Sequence, residues 1–159
     1  MFQRVTGRAF DQLQVQTFSP AVPGAAEVGG LVGRLEIPRF GLGLVVAEGT
    51  SPVTLRRAAG HIKGTATPGH PGNVGIAGHR DTLFRPLRDI RQNDLITLTT
   101  SQGNYSYRVV STNIVSPSDV AVLTSDEKQI LTLVTCHPFY FVGPAPDRFI
   151  VRAERVAGI

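Results

Sequence analysis

The sequence predicts a mainly β domain in which short strands form a closed or nearly closed barrel. From residue 31 onward, apolar residues such as Leu31, Leu35 and Ile37 alternate with other residues at a period of two. Turn residues return roughly every eight to twelve positions, which is typical of all-β barrels. The 159 residues include 17 glycines and 11 prolines, and 42% of them are hydrophobic. This length and composition predict a single folded domain.

One helix is predicted inside this domain, over residues 50–60. Thr50 or Ser51 caps its start, and Pro52 suits its first turn. Gly60 ends it. Strands are predicted at 31–37, 42–49, 73–79, 94–100, 105–115, 129–136 and 147–156, with a hairpin turn at 101–104 and short helical turns at 81–90 and 116–124.

The N-terminal part of the chain differs in pattern from the rest. Residues 1–18 predict a helix, because their apolar residues recur on one helical stripe. Residues 19–30 are rich in Pro, Gly and Ala and predict a linker, which leaves residues 31–159 as the folded domain. No run of about 18 apolar residues is present, so the sequence as given is expected to be soluble. It can still be the excised domain of a longer anchored protein.

Charge and cysteine content narrow the function classes. The net charge is +4, and Lys63 and Lys128 are the only lysines. The arginines of residues 80–94 alternate with aspartates, which indicates a solvated face and disfavours nucleic-acid binding. A single cysteine excludes an internal disulfide and a cysteine-based zinc site. The histidines show no tight metal-ligand spacing, and His61 and His70 are expected to support a loop.

Three residues have the chemistry and the setting of an acyl-transfer site. Cys136 ends a predicted strand, His79 ends another, and Arg148 begins the last one. If these strands are neighbours, the three side chains can converge at one rim of the barrel. Cysteine then attacks a carbonyl, histidine protonates the leaving amine, and arginine or backbone N–H groups stabilise the oxyanion.

Residue types alone leave other interpretations open. A lone Cys136 is often a small apolar core residue, and His79 can be a structural histidine. Arg148 can form a local ion pair with Asp147. His137 adjoins the cysteine but points to the opposite face of a strand.

Three segments in order resemble the sortase family of cysteine transpeptidases. "TLVTC" (132–136) resembles the TLxTC signature of sortases, "GNVGIAGHR" (72–80) the segment with their histidine, and "APDRFIVRA" (145–153) the strand with their arginine. The likeness runs from about residue 31 to 155 and is greatest to class D sortases and their relatives in Gram-negative bacteria.

This resemblance implies an eight-stranded β-barrel with short helices and three site residues. Cys136 is then the nucleophile, His79 the general acid/base, and Arg148 the oxyanion or substrate-positioning group. Sortases cut an LPxTG-like sorting motif between Thr and Gly, hold the acyl group as a thioester and pass it to an amine. That amine belongs to a cell-wall peptide or a pilin lysine.

Supporting residues and surroundings are implied in the same way. Thr135 is expected to shape the backbone beside the cysteine, Asp81 to support the site, and His137 to affect the substrate groove, since tyrosine is commoner at that position. No metal and no cofactor are expected. The resemblance further implies an extracytoplasmic location, with a membrane tether outside this sequence and residues 1–18 as its juxtamembrane remnant.

Two alternatives remain at the level of sequence. A hydrolytic cysteine peptidase would use the same Cys136 and His79 but release the acyl group to water. A noncatalytic peptide-binding barrel would bury the thiol.

Overall fold

A computed structural model describes residues 29–79, 84–123, 128–137 and 147–156, with the backbone alone at Val120, Cys136 and His137. Within these residues eight strands close into a barrel. The strands are β1 (Leu31–Ile37), β2 (Leu42–Glu48), β3 (Ala59–His61), β4 (Gly72–Ala77), β5 (Leu95–Thr100), β6 (Gly103–Val115), β7 (Gln129–His137) and β8 (Asp147–Arg155). One helix, α1 (Pro52–Leu55), and three 3-10 helices, η1 (Pro38–Phe40), η2 (Arg85–Asp89) and η3 (Val120–Leu123), accompany them.

The barrel has the strand order β1-β2-β3-β4-β7-β8-β6-β5 and closes through the pairing of β1 with β5. The pairs β2–β3 and β4–β7 are parallel, and the other pairs are antiparallel. This architecture confirms the predicted fold class. It places the segment with His79 and the segment with Cys136 on neighbouring strands, although 57 residues separate them (136 − 79 = 57).

Two apolar clusters lie on opposite sides of the sheet. The inner cluster fills the barrel and includes Leu44 and Val46 of β2 and Leu133 of β7. The second cluster, here called the outer apolar layer, packs α1 and η3 against the outside of β4, β7 and β8. Its buried members are Leu55, Ile62, Ala77, Leu123, Val134 and Ile150.

The helix predicted over residues 50–60 is wrong at its C-terminal half. α1 starts as predicted, since the Ser51 side chain accepts a hydrogen bond from Thr54 N at 3.2 Å. It ends at Leu55, however, and β3 follows. Gly60 belongs to that strand and approaches the Gly49 carbonyl so closely that no Cβ fits. Pairing of β3 with β2 and β4 therefore overrides the local helix signal.

The other turn predictions agree with the described residues, with η2 inside the turn predicted at 81–90 and η3 inside the one at 116–124, whereas residues 81–83 and 124 lie outside them. Residues 101–102 connect β5 and β6 as a hairpin. Asp119 Oδ1 accepts from Ala121 N at 3.2 Å and caps η3. The predicted N-terminal helix, and all but the last two residues of the predicted linker, lie outside the described residues. In the part of the chain that is described, no helix has the length and apolar character needed to cross a bilayer.

Tyr107 gives the barrel interior a testable response to alkaline pH. Its side chain is buried in the inner cluster, and its hydroxyl has no hydrogen-bond partner among the described residues. Burial raises the pKa of Tyr107 to about 12, although the nearby Arg155 charge opposes this. The unfolded chain releases the same proton near pH 10, so it binds fewer protons than the folded chain between the two values. The contribution of Tyr107 to stability is therefore constant below about pH 10 and falls above it.

We expect Tyr107→Phe to remove this alkaline loss. Relative to the variant, the wild type should lose about 1 kcal/mol of unfolding free energy between pH 8 and pH 11. Urea unfolding at both pH values measures the difference. Tyr105→Phe, on the same strand but only half-buried, removes just the smallest of the influences on the Tyr107 pKa and is the control that should keep most of the wild-type slope. An unchanged slope in Tyr107→Phe would contradict the prediction.

Candidate active site

The candidate site lies at the end of the barrel where β4 and β7 finish and β8 begins. β4 and β7 run parallel, with Ala77 opposite Val134, and Gly78 N donates to Val134 O at 3.1 Å. This bond closes the last pair of the ladder, and the same register continued by two residues brings His79 level with Cys136. On the other side of β7, Cys136 stands directly opposite Arg148 of β8. The three positions therefore form one row across three adjacent strands, here called the His–Cys–Arg row.

The His–Cys–Arg row continues the outer face of the sheet. Residues directly opposite each other on paired strands share a face, and successive residues alternate between faces. The preceding row, Ala77–Val134–Ile150, belongs to the outer apolar layer. Cys136 and Arg148 lie two residues from Val134 and Ile150 along β7 and β8 and therefore share this outer face. Position 136 is thus on the outside of the barrel near one end, and not inside its opening.

His79 is held at the turn that follows β4. Its residue is 2% exposed, and its carbonyl accepts a hydrogen bond from Phe84 N at 3.0 Å. Phe84 packs into the inner cluster, and its ring leaves no room for a side chain at Gly78, where a Cβ would lie 2.7 Å from a ring carbon. A glycine before the histidine therefore lets the aromatic side chain anchor the turn. Asp81, the predicted supporting residue, lies outside the described residues.

Arg148 brings a permanent positive charge to the row. It is 2% exposed and is the largest of the fully buried side chains among the described residues. Its Nη1 donates to Asp147 O at 3.0 Å. A guanidinium stays protonated even when buried, so its charge acts in a medium of low dielectric constant, where it is felt strongly. Arg148 is therefore not an exposed residue of the kind that forms a surface ion pair, because its side chain is buried.

The two residues beside Cys136 occupy the opposite face of β7. Thr135 is fully buried opposite Phe149, and its hydroxyl has no hydrogen-bond partner among the described residues. His137 pairs with Asp147 through the backbone ladder. The roles predicted for Thr135 and His137 stay predictions.

A polar contact ties η3 to the sheet beneath it. Asn73 Nδ2 donates to Val122 O at 2.9 Å, and Thr132 Oγ1 donates to Asn73 Oδ1 at 2.6 Å. Both side chains are buried. Since Val122 neighbours Leu123 of the outer apolar layer, this contact fixes one wall of the surface that leads to the His–Cys–Arg row.

Sequence reasoning missed one buried acidic residue, Glu48. The predicted loop-supporting role of His61 agrees with the structure, since its Nε2 lies 2.7 Å from Ala66 O. Its Nδ1, however, lies 2.8 Å from Glu48 Oε1. The signal was present in β2: Leu44, Val46 and Glu48 share the inward face, so an acid there must be buried. His70, with Nδ1 2.9 Å from Thr67 Oγ1, lies in the same loop region.

Comparisons with known proteins agree with this architecture. A sortase domain model matches residues 35–156. Sortase D of Bacillus subtilis is 39% identical over 131 residues, which cover 82% of this chain and 66% of that protein. The chain thus spans just under two thirds of that relative's length. A solved structure of a Clostridium perfringens Sortase D5 transpeptidase superimposes with a TM-score of 0.74 at 26% identity, covering 96% of this chain and 99% of that one.

The chain belongs to the sortase family, whose members are cysteine transpeptidases. Similarity to Sortase D supports the predicted resemblance to class D sortases. The predicted likeness to their relatives in Gram-negative bacteria stays a prediction. Sortases act at the cell surface on proteins that carry a sorting motif, pilins included.

Proposed function

We propose that this chain is a class D-type cysteine transpeptidase that cleaves an LPxTG-like sorting motif and transfers the acyl group to an amine. The observation that supports the proposal is the strand register: Cys136 pairs with Arg148, and the β4–β7 ladder, which ends with Ala77 opposite Val134, brings His79 level with Cys136 when it is continued by two residues. Residues on neighbouring strands at the same level lie about 5 Å apart at their backbones, within reach of side-chain chemistry.

In the first half-reaction, the Cys136 thiolate attacks the threonine carbonyl carbon of the motif. The oxyanion that forms is stabilised by the Arg148 guanidinium and by backbone N–H groups. Collapse of this intermediate breaks the Thr–Gly C–N bond. His79, protonated beforehand, gives its proton to the departing amine. The product is a thioester on Sγ and a neutral imidazole.

In the second half-reaction, an acceptor amine attacks the thioester carbonyl. His79 takes the proton released by that amine, the C–S bond breaks, and the thiolate is regenerated. A new amide bond has replaced the old one, and no cofactor is consumed. The acceptor is proposed to be a cell-wall peptide or a pilin lysine. A tether preceding residues 1–18 would hold the enzyme at the extracytoplasmic face of the membrane.

The burial of His79 and Arg148 favours transfer over simple hydrolysis. Both residues are 2% exposed, and the outer apolar layer borders the row. A thioester held in such surroundings meets little water, so a bound amine competes well for it. These features support a transpeptidase over the alternative, a hydrolytic peptidase with the same nucleophile.

Incubation of the chain with a library of sorting-motif peptides tests the proposal. We expect mass spectrometry to detect a covalent acyl adduct on Cys136, and added hydroxylamine or an amino-terminal glycine peptide to raise the rate of product formation. Acceptor-independent cleavage would identify a peptidase. Absence of both the adduct and cleavage across the library would favour a noncatalytic binding barrel.

A further inference from the structure

The strongest unassigned feature of the described residues is the buried hydrogen-bonded pair Glu48–His61 inside the barrel. Glu48 is the last residue of β2 and His61 the last residue of β3, and they stand side by side across this parallel pair. Their side chains are only 6% and 1% exposed, with Nδ1 and Oε1 2.8 Å apart. Burying such groups costs free energy unless every polar atom is satisfied.

The second ring nitrogen of His61 reaches into the turn between β3 and β4. Nε2 lies 2.7 Å from Ala66 O and 3.1 Å from Thr65 Oγ1. Thr65 donates its hydroxyl proton to Ile62 O at 2.6 Å. Both neighbours of Nε2 are therefore acceptors, so Nε2 carries a proton. The contact between Nδ1 and Glu48 holds the ring in the orientation that this donation requires.

Thr65 connects these hydrogen bonds to β4. Its Oγ1 also accepts from Gly75 N at 3.0 Å, and a Cβ at Gly75 would meet Leu123, Thr65 and Ile62 within 3.2 Å. Ile62 and Leu123 are both members of the outer apolar layer. The hydrogen bonds that start at Glu48 inside the barrel thus end at the layer bordering the His–Cys–Arg row.

We infer that Glu48 and His61 are positioning residues for substrate binding. They fasten the turn of residues 62–66, and through Ile62 and Thr65 they set the shape of the outer apolar layer. The layer itself is buried, and the apolar residues of a sorting motif would contact the surface that it supports, where the partly buried Val115 and Val122 pack against it, on their way to Cys136. This inference rests on the proposed function. It assigns the pair to peptide affinity, because neither residue is in the row where bonds are made and broken.

Kinetics of Glu48→Ala with the best sorting peptide separate affinity from chemistry. We expect KM to rise about tenfold while kcat stays within about twofold, since the change shifts a binding wall and not the reacting groups. Glu48→Gln can still hydrogen-bond Nδ1 and should restore a KM close to the wild-type value. Glu36→Ala, which removes a surface acid paired with Arg34 at 3.9 Å, is the control and should change neither constant.

Thr65 provides a second test if Glu48→Ala fails to fold. Thr65→Val removes the hydroxyl that connects Ile62 and Gly75 and should raise KM in the same way, whereas Thr65→Ser keeps it and should not. Amide hydrogen exchange of Gly75 should be faster in Thr65→Val and in Glu48→Ala than in the wild type.

Peptide affinity measured in a Cys136→Ala background makes the result independent of turnover. We expect Glu48→Ala to weaken this affinity about tenfold, in step with KM. Unchanged affinity and KM in folded Glu48→Ala and Thr65→Val would overturn the inference, as would a loss confined to kcat. A wild-type chain that binds sorting peptides without turning them over would instead overturn the proposed transpeptidation.

Discussion

Replacing Cys136 by alanine is expected to lower transpeptidation by at least about 10⁴-fold, because the covalent intermediate needs this sulfur. The chain contains one cysteine, so thiol labelling reports on this position alone. Iodoacetamide should modify wild-type Cys136 near neutral pH and abolish turnover in parallel. Continuous peptide cleavage assays, with and without an acceptor amine, measure the loss.

Two controls make the Cys136 result specific. Circular dichroism and thermal melts of Cys136→Ala should match the wild type, and the variant should still bind sorting peptides. Cys136→Ser keeps a nucleophilic atom but lacks an easily formed anion, and should remain severely impaired. If the alanine variant retained wild-type activity, or if the folded protein resisted alkylation, the thiol would be a packing residue in a noncatalytic barrel.

How much of this site can be predicted from the sequence depends on how far apart along the chain the interacting residues lie. The alternation of residues in 31–37 and the motif order His79, Cys136, Arg148 are local or linear features, and both could be read directly. The pairing of β4 with β7 is not local, because it joins segments separated by more than fifty residues. Without that register, the sequence can place Cys136 at a strand end but not on the outer face.

Local signals also failed where tertiary contacts outweighed them. Residues 50–60 carry a good helix start at Ser51, and the structure uses it for a single turn. What converts Ala59–His61 into a strand is its pairing with β2 and β4, together with the close approach of Gly60 to Gly49. The partner of His61 was hidden for the same reason, since Glu48 lies thirteen residues away and meets it only through the β2–β3 ladder.

The second large effect on activity is expected at His79 and Arg148, the two positions that flank Cys136. His79→Ala and Arg148→Ala should each lower kcat/KM by about two to three orders of magnitude, the scale on which a lost acid–base or oxyanion group is felt. Arg148→Lys should recover little, because an ammonium lacks the planar, multiple-donor geometry of a guanidinium. Single-turnover measurement of acylation shows whether the loss falls in the chemical step.

Arg152 offers a matched control for Arg148. It lies four residues along β8 on the same outer face, opposite Thr132 instead of Cys136. Arg152→Ala removes a similar charge from the same strand. It should lower kcat/KM by less than about threefold, because Arg152 does not adjoin the nucleophile. Since Arg148 is buried and Arg152 is only half-buried, unfolding free energies of both variants must accompany the kinetics. Equal losses in the two folded variants would mean that Arg148 contributes general electrostatics to this face, and the assignment of an oxyanion role to it would fall.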